Sequence, residues 1–407
     1  MERRFVESMN QPTTDPLAFW TNGGPGCSGL IGFMTEQGPF RPNADLTLKM
    51  NEYAWNQVAN MVFIESPAGV GFSYPDNKDD LKTGDAQTAL DNYNLIQAFL
   101  TRFPEYRGND LYITSESYGG HYMPTLAKQI VDSNSVAGNT VVNFKGFAVG
   151  NPYTDFYSGI PASIDTYWGH QLVPLPTYNE YVKTCRDARK PNFEECELLL
   201  VKMMKMIGDL NPYALDYPVC TDSSKHSAQG LWQTNHMLKA MGIKPQAVGL
   251  QAPDDYEPCA SNYAVTYLNQ ASVKSALHVK SDLTWDECSY DVRYNATDSE
   301  RTSTAPIYNY LIDGKFGLNI LVYSGDDDSV CGTIGTQSWI WGLGYETAPK
   351  PWAVYTYNQQ TAGYLTKWTN TKLAFLTVHG AGHEVPAYKP DVALDLFKRY
   401  LAGEFTN

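Results

Sequence analysis

The run Leu111-Tyr112-Ile113-Thr114-Ser115-Glu116-Ser117-Tyr118-Gly119-Gly120-His121 constrains this chain more than any other stretch. Its first four residues favour a strand, a small-x-Ser-x-Gly pattern follows, and Tyr122–Asp132 is compatible with a helix. This is the layout of a strand-to-helix elbow that pushes a serine hydroxyl out of a sheet. The small residues around Ser117 let the backbone turn tightly, and the helix start brings N–H groups close to developing negative charge. Isolated copies of such a pattern are common, and this one carries Ser115 where glycine is usual. The weight therefore rests on what accompanies it.

Phe5-Val6 reads as the end of a strand, and Asn10 to Pro16 as a polar turn. Leu17-Ala18-Phe19-Trp20 is a short buried strand that runs into Thr21-Asn22-Gly23-Gly24-Pro25-Gly26-Cys27-Ser28-Gly29. That loop lacks the Gly-Lys-Ser/Thr of a phosphate-binding loop, and Pro25 is incompatible with a dinucleotide fingerprint. Its remaining use is to bring bare backbone N–H groups to a ligand, as one half of an oxyanion hole requires. Met61–Ile64 forms a further strand, ending in the turn Ser66–Gly71. Apolar residues at helical spacing predict a helix from Thr83 to Phe103. Val141–Val149, Asn319–Tyr323 and Leu373–Val378 are strands, and Pro390–Leu401 is an amphipathic helix. Strands alternating with helices over short links predict an α/β fold with a mostly parallel central sheet flanked by helices.

From about Asp155 to Thr302 the strands give way to cysteines, prolines, tyrosines and amphipathic pieces such as Tyr178–Cys185 and Glu194–Ile207. The expected organisation is a core from residues 1–154 and 303–407, with 155–302 an inserted, largely helical cap. The Met203-Met204-Lys205-Met206 cluster fits packing better than a cofactor box.

Composition narrows the partners. The 30 Lys and Arg against 44 Asp and Glu give a net charge of −14, which argues against nucleic acid and anionic membranes. No apolar run approaches the length of a membrane span. Seven cysteines without a C-x-x-C pair argue against zinc and thioredoxin-type chemistry, and suit three disulfides plus one free thiol in an oxidising compartment. Asn295-Ala296-Thr297 is an acceptor sequon for glycosylation. Met1–Phe5 lacks the apolar stretch of a secretion signal, so the chain is expected to have lost its original beginning.

Three groups fall in one order, each just after a strand: Ser117, the acids Asp326-Asp327-Asp328, and His383. A histidine that removes the serine proton, oriented by a carboxylate, is what an otherwise weak hydroxyl nucleophile needs. His383 stands between Gly382 and Glu384-Val385-Pro386 in a strand-end loop. His379, at the strand end itself, fits a structural role.

Six motifs stand out together: Trp20-x-Asn22-Gly23-Gly24-Pro25-Gly26-Cys27-Ser28, Glu65-Ser66-Pro67-Ala68-Gly69-Val70-Gly71-Phe72-Ser73-Tyr74 and Phe103-Pro104-Glu105-Tyr106. Glu116-Ser117-Tyr118-Gly119-Gly120-His121-Tyr122, Tyr323-Ser324-Gly325-Asp326 and Gly380-Ala381-Gly382-His383-Glu384-Val385-Pro386 complete the set. In these motifs and their order the chain resembles the serine carboxypeptidases. The resemblance implies an α/β-hydrolase fold and a peptidase that acts on peptide or protein C-termini with neither cofactor nor metal. It assigns Ser117, Asp328 and His383 as the triad, and the N–H groups of Gly24 and Tyr118 as the oxyanion hole. Asn22, Gly23, Glu36 and Glu116 would hold the substrate carboxylate, the two glutamates by carrying protons. Ile31, Thr35, Cys331 and Glu384 would line the leaving-residue pocket, favouring apolar residues and tolerating basic ones. The implied disulfides are Cys27–Cys288, Cys185–Cys196 and Cys220–Cys259, leaving Cys331 free, and the implied location is secreted, vacuolar or lysosomal. An acyltransferase on the same scaffold, and a binding or protective relative without catalysis, remain open alternatives.

Overall fold

The computed structural model describes residues 1–187, 193–221, 256–295, 297–298 and 302–405. Nine strands form one sheet: β1 (Arg3–Val6), β2 (Leu17–Thr21), β3 (Asn60–Ile64), β4 (Leu111–Glu116), β5 (Phe144–Gly150), β6 (Asn319–Gly325), β7 (Ala353–Tyr357), β8 (Gln360–Lys367) and β9 (Leu373–Val378). Their order across the sheet is β1-β3-β2-β4-β5-β6-β9-β8-β7. The run from β3 through β2, β4, β5 and β6 to β9 is parallel. Antiparallel strands close both edges, β1 against β3 and the hairpin β7–β8 against β9.

β2, β3, β4 and β9 are buried along their whole length, as expected of strands covered on both faces. Two apolar clusters fill the two sides. One joins Trp20, Phe63, Trp55 and Phe397, and the other joins Phe19, Ile96, Phe99, Ile113 and Phe147. Helices α1 (Leu30–Thr35), α2 (Asp85–Arg102), α3 (Gly119–Asn134), α5 (Ala305–Asp313), α6 (Thr333–Trp341) and α7 (Pro390–Leu401) pack around this sheet, and α4 (Phe156–Gly169) packs against α6. This is the α/β-hydrolase fold, with Ser117, Asp328 and His383 in loops beyond the C-terminal ends of β4, β6 and β9.

The helix after the elbow begins at Gly119, three residues before the expected start at Tyr122, because the turn passes into helix without a break. The strand expected at Val141–Val149 spans Phe144–Gly150. The β7–β8 hairpin and α6 were not foreseen. Between α4 and α5 the described residues are mainly helical, in Leu175–Tyr181, Phe193–Ile207, Ala260–Leu268 and Ala271–Ala276, and none joins the large sheet. With α4 they share a small core of Ile164, Tyr167, Val173, Tyr181, Met203 and Leu215, with Met203 fully buried in a packing role. Disulfides join Cys27 to Cys288, Cys185 to Cys196 and Cys220 to Cys259, and Cys331 is a buried free thiol. No helix among the described residues is long and apolar enough to cross a membrane.

Candidate active site

Ser117 occupies the turn between β4 and α3 with φ 58°, in the left-handed region. A non-glycine residue there costs about 1–3 kcal/mol and persists only when its surroundings fix it. They do. The Ser117 N–H donates to Gly150 O at 3.0 Å, and its carbonyl accepts from Gly120 N at 2.9 Å and Tyr153 N at 2.7 Å. Ser115 finds a place of its own, donating its hydroxyl to Thr21 O in β2 at 2.5 Å. A Cβ on Gly119 would lie 2.2 Å from that hydroxyl, so Gly119 leaves the room that Ser115 fills.

The acids of the 326–328 run part company. Asp326 pairs with the exposed imidazole of His379, Oδ2 to Nδ1 at 2.7 Å. His379 therefore lies just past the end of β9 in solvent, a correction to its reading as part of the strand end. Asp327 turns inward and accepts from Asp216 N at 3.0 Å. Asp328 is fully buried and meets His383 Nδ1 through Oδ2 at 2.6 Å. Three more donors fix that carboxylate: Asn151 Nδ2 at 2.9 Å, Cys331 N at 3.1 Å and Val330 N at 2.7 Å. Asp328, Cys331 and His383 are close enough to share a cation, as are His170, Asp216 and Asp327. The first set is already engaged in its own hydrogen bonds.

His383 is buried, and its Nε2 has no hydrogen-bond partner among the described residues. The Asp328 charge and bond outweigh burial and raise its pKa, with Glu384 and Glu36 adding to the rise. The Ser117 hydroxyl meanwhile bonds the Cys331 thiol. Burial and the nearby Asp328 charge hold that thiol well above its ordinary pKa.

Beside the elbow lies a buried carboxyl cluster. Asn22 Nδ2 donates to Glu36 Oε1 at 3.0 Å and to Glu116 Oε1 at 2.7 Å. The Asn22 oxygen accepts from Trp20 Nε1 at 2.7 Å and Gly32 N at 3.2 Å, which leaves only one sensible orientation for its amide. Both glutamates are 1 % exposed, so desolvation disfavours their charged forms. Burial and the Glu384 charge push Glu36 up to about 8. Burial, then the charge of Glu36, raises Glu116 well above the ordinary carboxylate range as well.

The profile of the serine carboxypeptidase family matches residues 4–403. Serine carboxypeptidase-like 25 of Arabidopsis thaliana is 37% identical over 407 residues, which cover 98% of this chain and 84% of the relative. Serine carboxypeptidase 24 of the same plant is 37% identical over 406 residues, with the same 98% and 84% coverage. The chain belongs to the serine carboxypeptidase family. Kex1, a prohormone-processing carboxypeptidase of Saccharomyces cerevisiae, has a crystal structure that matches with a TM-score of 0.75 at 21% identity. The match covers 98% of this chain and 85% of that one, a likeness that speaks for the fold alone.

In this serine carboxypeptidase the glycine loop meets the elbow directly. A Cβ on Gly23 would lie 2.4 Å from Tyr118 N and 2.8 Å from Ser117 Cβ, so only glycine permits the approach. Gly24 follows with φ +114°. Ile31 and Thr35 sit one turn apart on α1, with Ile31 buried and the Thr35 hydroxyl donating to Ile31 O at 2.8 Å. Glu36 is the C-cap of that helix. Glu384 is buried beside His383, and burial raises its pKa.

Two supports of the site stand outside the motifs. Asn151 follows β5 at φ 38°, and besides holding Asp328 it bonds both backbone groups of Gly325. A polar residue just past a parallel strand was the available signal. The other support is the segment Asn211–Tyr217. His383 N donates to Tyr213 O at 2.7 Å, and the Tyr213 ring packs edge-on to the imidazole at 4.9 Å. Ser329 N donates to Pro212 O at 3.0 Å and Leu215 N to Asp327 O at 3.1 Å. One strap thus ties the acid loop to the histidine loop.

Proposed function

We propose that this hydrolase is a carboxypeptidase that releases single C-terminal residues from peptides through an acyl-enzyme on Ser117. The observation that carries this reading is the cluster of Asn22, Glu36 and Glu116 next to the elbow. Two ionised carboxylates would repel a substrate carboxylate, whereas two protonated ones donate hydrogen bonds to it. The raised values of Glu36 and Glu116 keep them protonated in acid, so peptide binding is strongest there.

With the terminal carboxylate held, Ser117 Oγ turns from the Cys331 thiol toward His383 Nε2, which takes its proton as the oxygen attacks the last amide carbon. Asp328 on Nδ1 fixes the tautomer and stabilises the imidazolium. Gly24 and Tyr118 N–H groups receive the oxyanion. Collapse breaks the C–N bond as His383 returns the proton to the leaving nitrogen, freeing the terminal amino acid. Water then repeats the sequence on the ester.

Ile31 and Thr35 favour apolar leaving residues. Glu384, in its ionised form, admits lysine and arginine. The described residues within 155–302 would form a cap on a core built from 1–154 and 303–405. Three disulfides suit a secreted, vacuolar or lysosomal protein, and Asn295, exposed and followed by Thr297, is the glycan acceptor. Transfer of the acyl group to an alcohol would use the same first half-reaction, and product analysis with an acyl-glucose donor separates the two.

The test is a peptide panel at pH 5 and pH 8, with each peptide as its free acid and its amide. Release confined to the free acids, and stronger at pH 5, is the expected result. Equal cleavage of the amides would refute the carboxylate grip.

A further inference from the structure

Next to the elbow lies a second, largely buried network that the reaction outlined above does not use. Asp85 opens α2, where the helix terminus favours negative charge. Its Oδ1 accepts from Tyr118 OH at 3.0 Å and from Tyr294 OH at 2.8 Å. Its Oδ2 meets Nδ1 of His121 at 2.8 Å, and its own N–H donates to Asp298 Oδ2 at 3.0 Å. His121 is fully buried, and its ring stacks on Tyr118 at 4.7 Å and 17°. Tyr118 is the residue whose N–H is assigned to the oxyanion hole. The same carboxylate reaches the other half of the hole. Tyr294 packs against Tyr122 at 6.3 Å, and Tyr122 OH accepts from Gly26 N at 3.2 Å in the glycine loop.

We propose that Asp85 is the positioning residue of the oxyanion hole, clamping Tyr118 directly and the Gly24–Gly26 loop through Tyr294 and Tyr122. The proposal rests on the oxyanion-hole assignment made above. Tyr118 follows a residue in a strained conformation, and its N–H must point at an oxygen that carries full charge only in the tetrahedral intermediate. Side-chain anchoring that holds the donor in advance removes the need to reorganise during the reaction. A carboxylate can take the Tyr118, Tyr294 and His121 donors at once. An asparagine in its place offers one acceptor oxygen and turns an NH2 toward a donor.

The experiment compares Asp85→Asn and Tyr118→Phe with the wild type in three readouts. These are kcat and KM on a free-acid peptide, the Ki of a peptide aldehyde that forms a hemiacetal oxyanion on Ser117, and the rate of fluorophosphonate labelling. Removing one oxyanion donor costs about 100- to 1000-fold in kcat, so misplacing it in Asp85→Asn should cost about 30-fold. KM should stay within about threefold, and the aldehyde Ki and labelling rate should weaken in step with kcat. Tyr118→Phe deletes a single hydroxyl and should show the same pattern at about fivefold, which carries the test if Asp85→Asn does not fold. A kcat within twofold of wild type, or an aldehyde Ki that follows KM instead of kcat, overturns the clamp. Labelling requires the serine and the oxyanion hole but no substrate carboxylate. A wild type that labels without releasing C-terminal residues therefore overturns the proposed activity, and the clamp then stands or falls on the labelling ratio.

Discussion

Replacing Glu36 by glutamine tests the proton-carrying grip most sharply, because glutamine is a permanent donor of about the same shape as protonated glutamate. Glu36 is pushed up to about 8 by burial and the Glu384 charge, and Glu116 is raised well above its ordinary value by burial and the Glu36 charge. Only the protonated fraction binds the peptide carboxylate, and the apparent dissociation constant scales as the reciprocal of that fraction. At pH 5 the fraction is essentially one. One unit above a pKa of about 8 it falls to about one tenth, so wild-type peptide KM should rise about tenfold between pH 6 and pH 9, or about 1.4 kcal/mol. In Glu36→Gln the rise should vanish, with KM at pH 5 within about threefold of wild type. The assay is steady-state hydrolysis of a free-acid peptide from pH 4 to 9, beside an ester without a free carboxylate. A wild-type KM flat across that range, or a variant whose KM climbs in parallel, refutes the reasoning.

Asn151→Ala removes one of the four donors to Asp328 and both bonds to Gly325, at a position with φ 38° that alanine tolerates poorly. A hydrogen bond to a charged group contributes about 1.5–3 kcal/mol, so kcat should fall about tenfold or more, read beside a thermal melt. Cys331→Ser should abolish inhibition by mercurials while leaving peptide turnover measurable, since the thiol bonds the Ser117 hydroxyl; equal sensitivity in the variant counts against it. Glu384→Gln should lose release of C-terminal lysine and arginine while keeping that of leucine, and parallel losses on both would remove Glu384 from the pocket. Thermal stability should fall between pH 5 and pH 8. Glu36 at about 8 and Glu65 at about 7 hold protons in the folded state that the unfolded chain releases near 4.5. The folded state therefore binds more protons in that window and loses stability as pH rises, and a melting temperature that increases instead would contradict the sign.

Much of this was legible because its signals are contiguous. The elbow, the glycine loop and the histidine loop are each a single run of residues at the end of an apolar strand, so placing the strands placed them. The β7–β8 hairpin escaped because its turn, Asn358-Gln359, puts both residues at positive φ, 49° and 61°, without the glycine that advertises such turns. Helix α6 escaped because Thr333–Trp341 has no consistent apolar face to give a helical period. The strap Asn211–Tyr217 and the Asp85–His121 pair were invisible for another reason. Their partners lie far away in the chain and meet them only through packing. His121 sits inside a motif that was read in full, yet nothing in its neighbours names Asp85.

The bridge between Cys27 and Cys288 spans 261 residues, from the glycine loop to the far side of the helical region. Any single backbone cut between them leaves the two fragments covalently one molecule. Each fragment keeps part of the machinery, with Ser117 and the glycine loop able to fall on one piece and Asp328 and His383 on the other. A nicked form should thus run as one species without reductant and as two with it, and it should retain turnover for as long as the bridge holds.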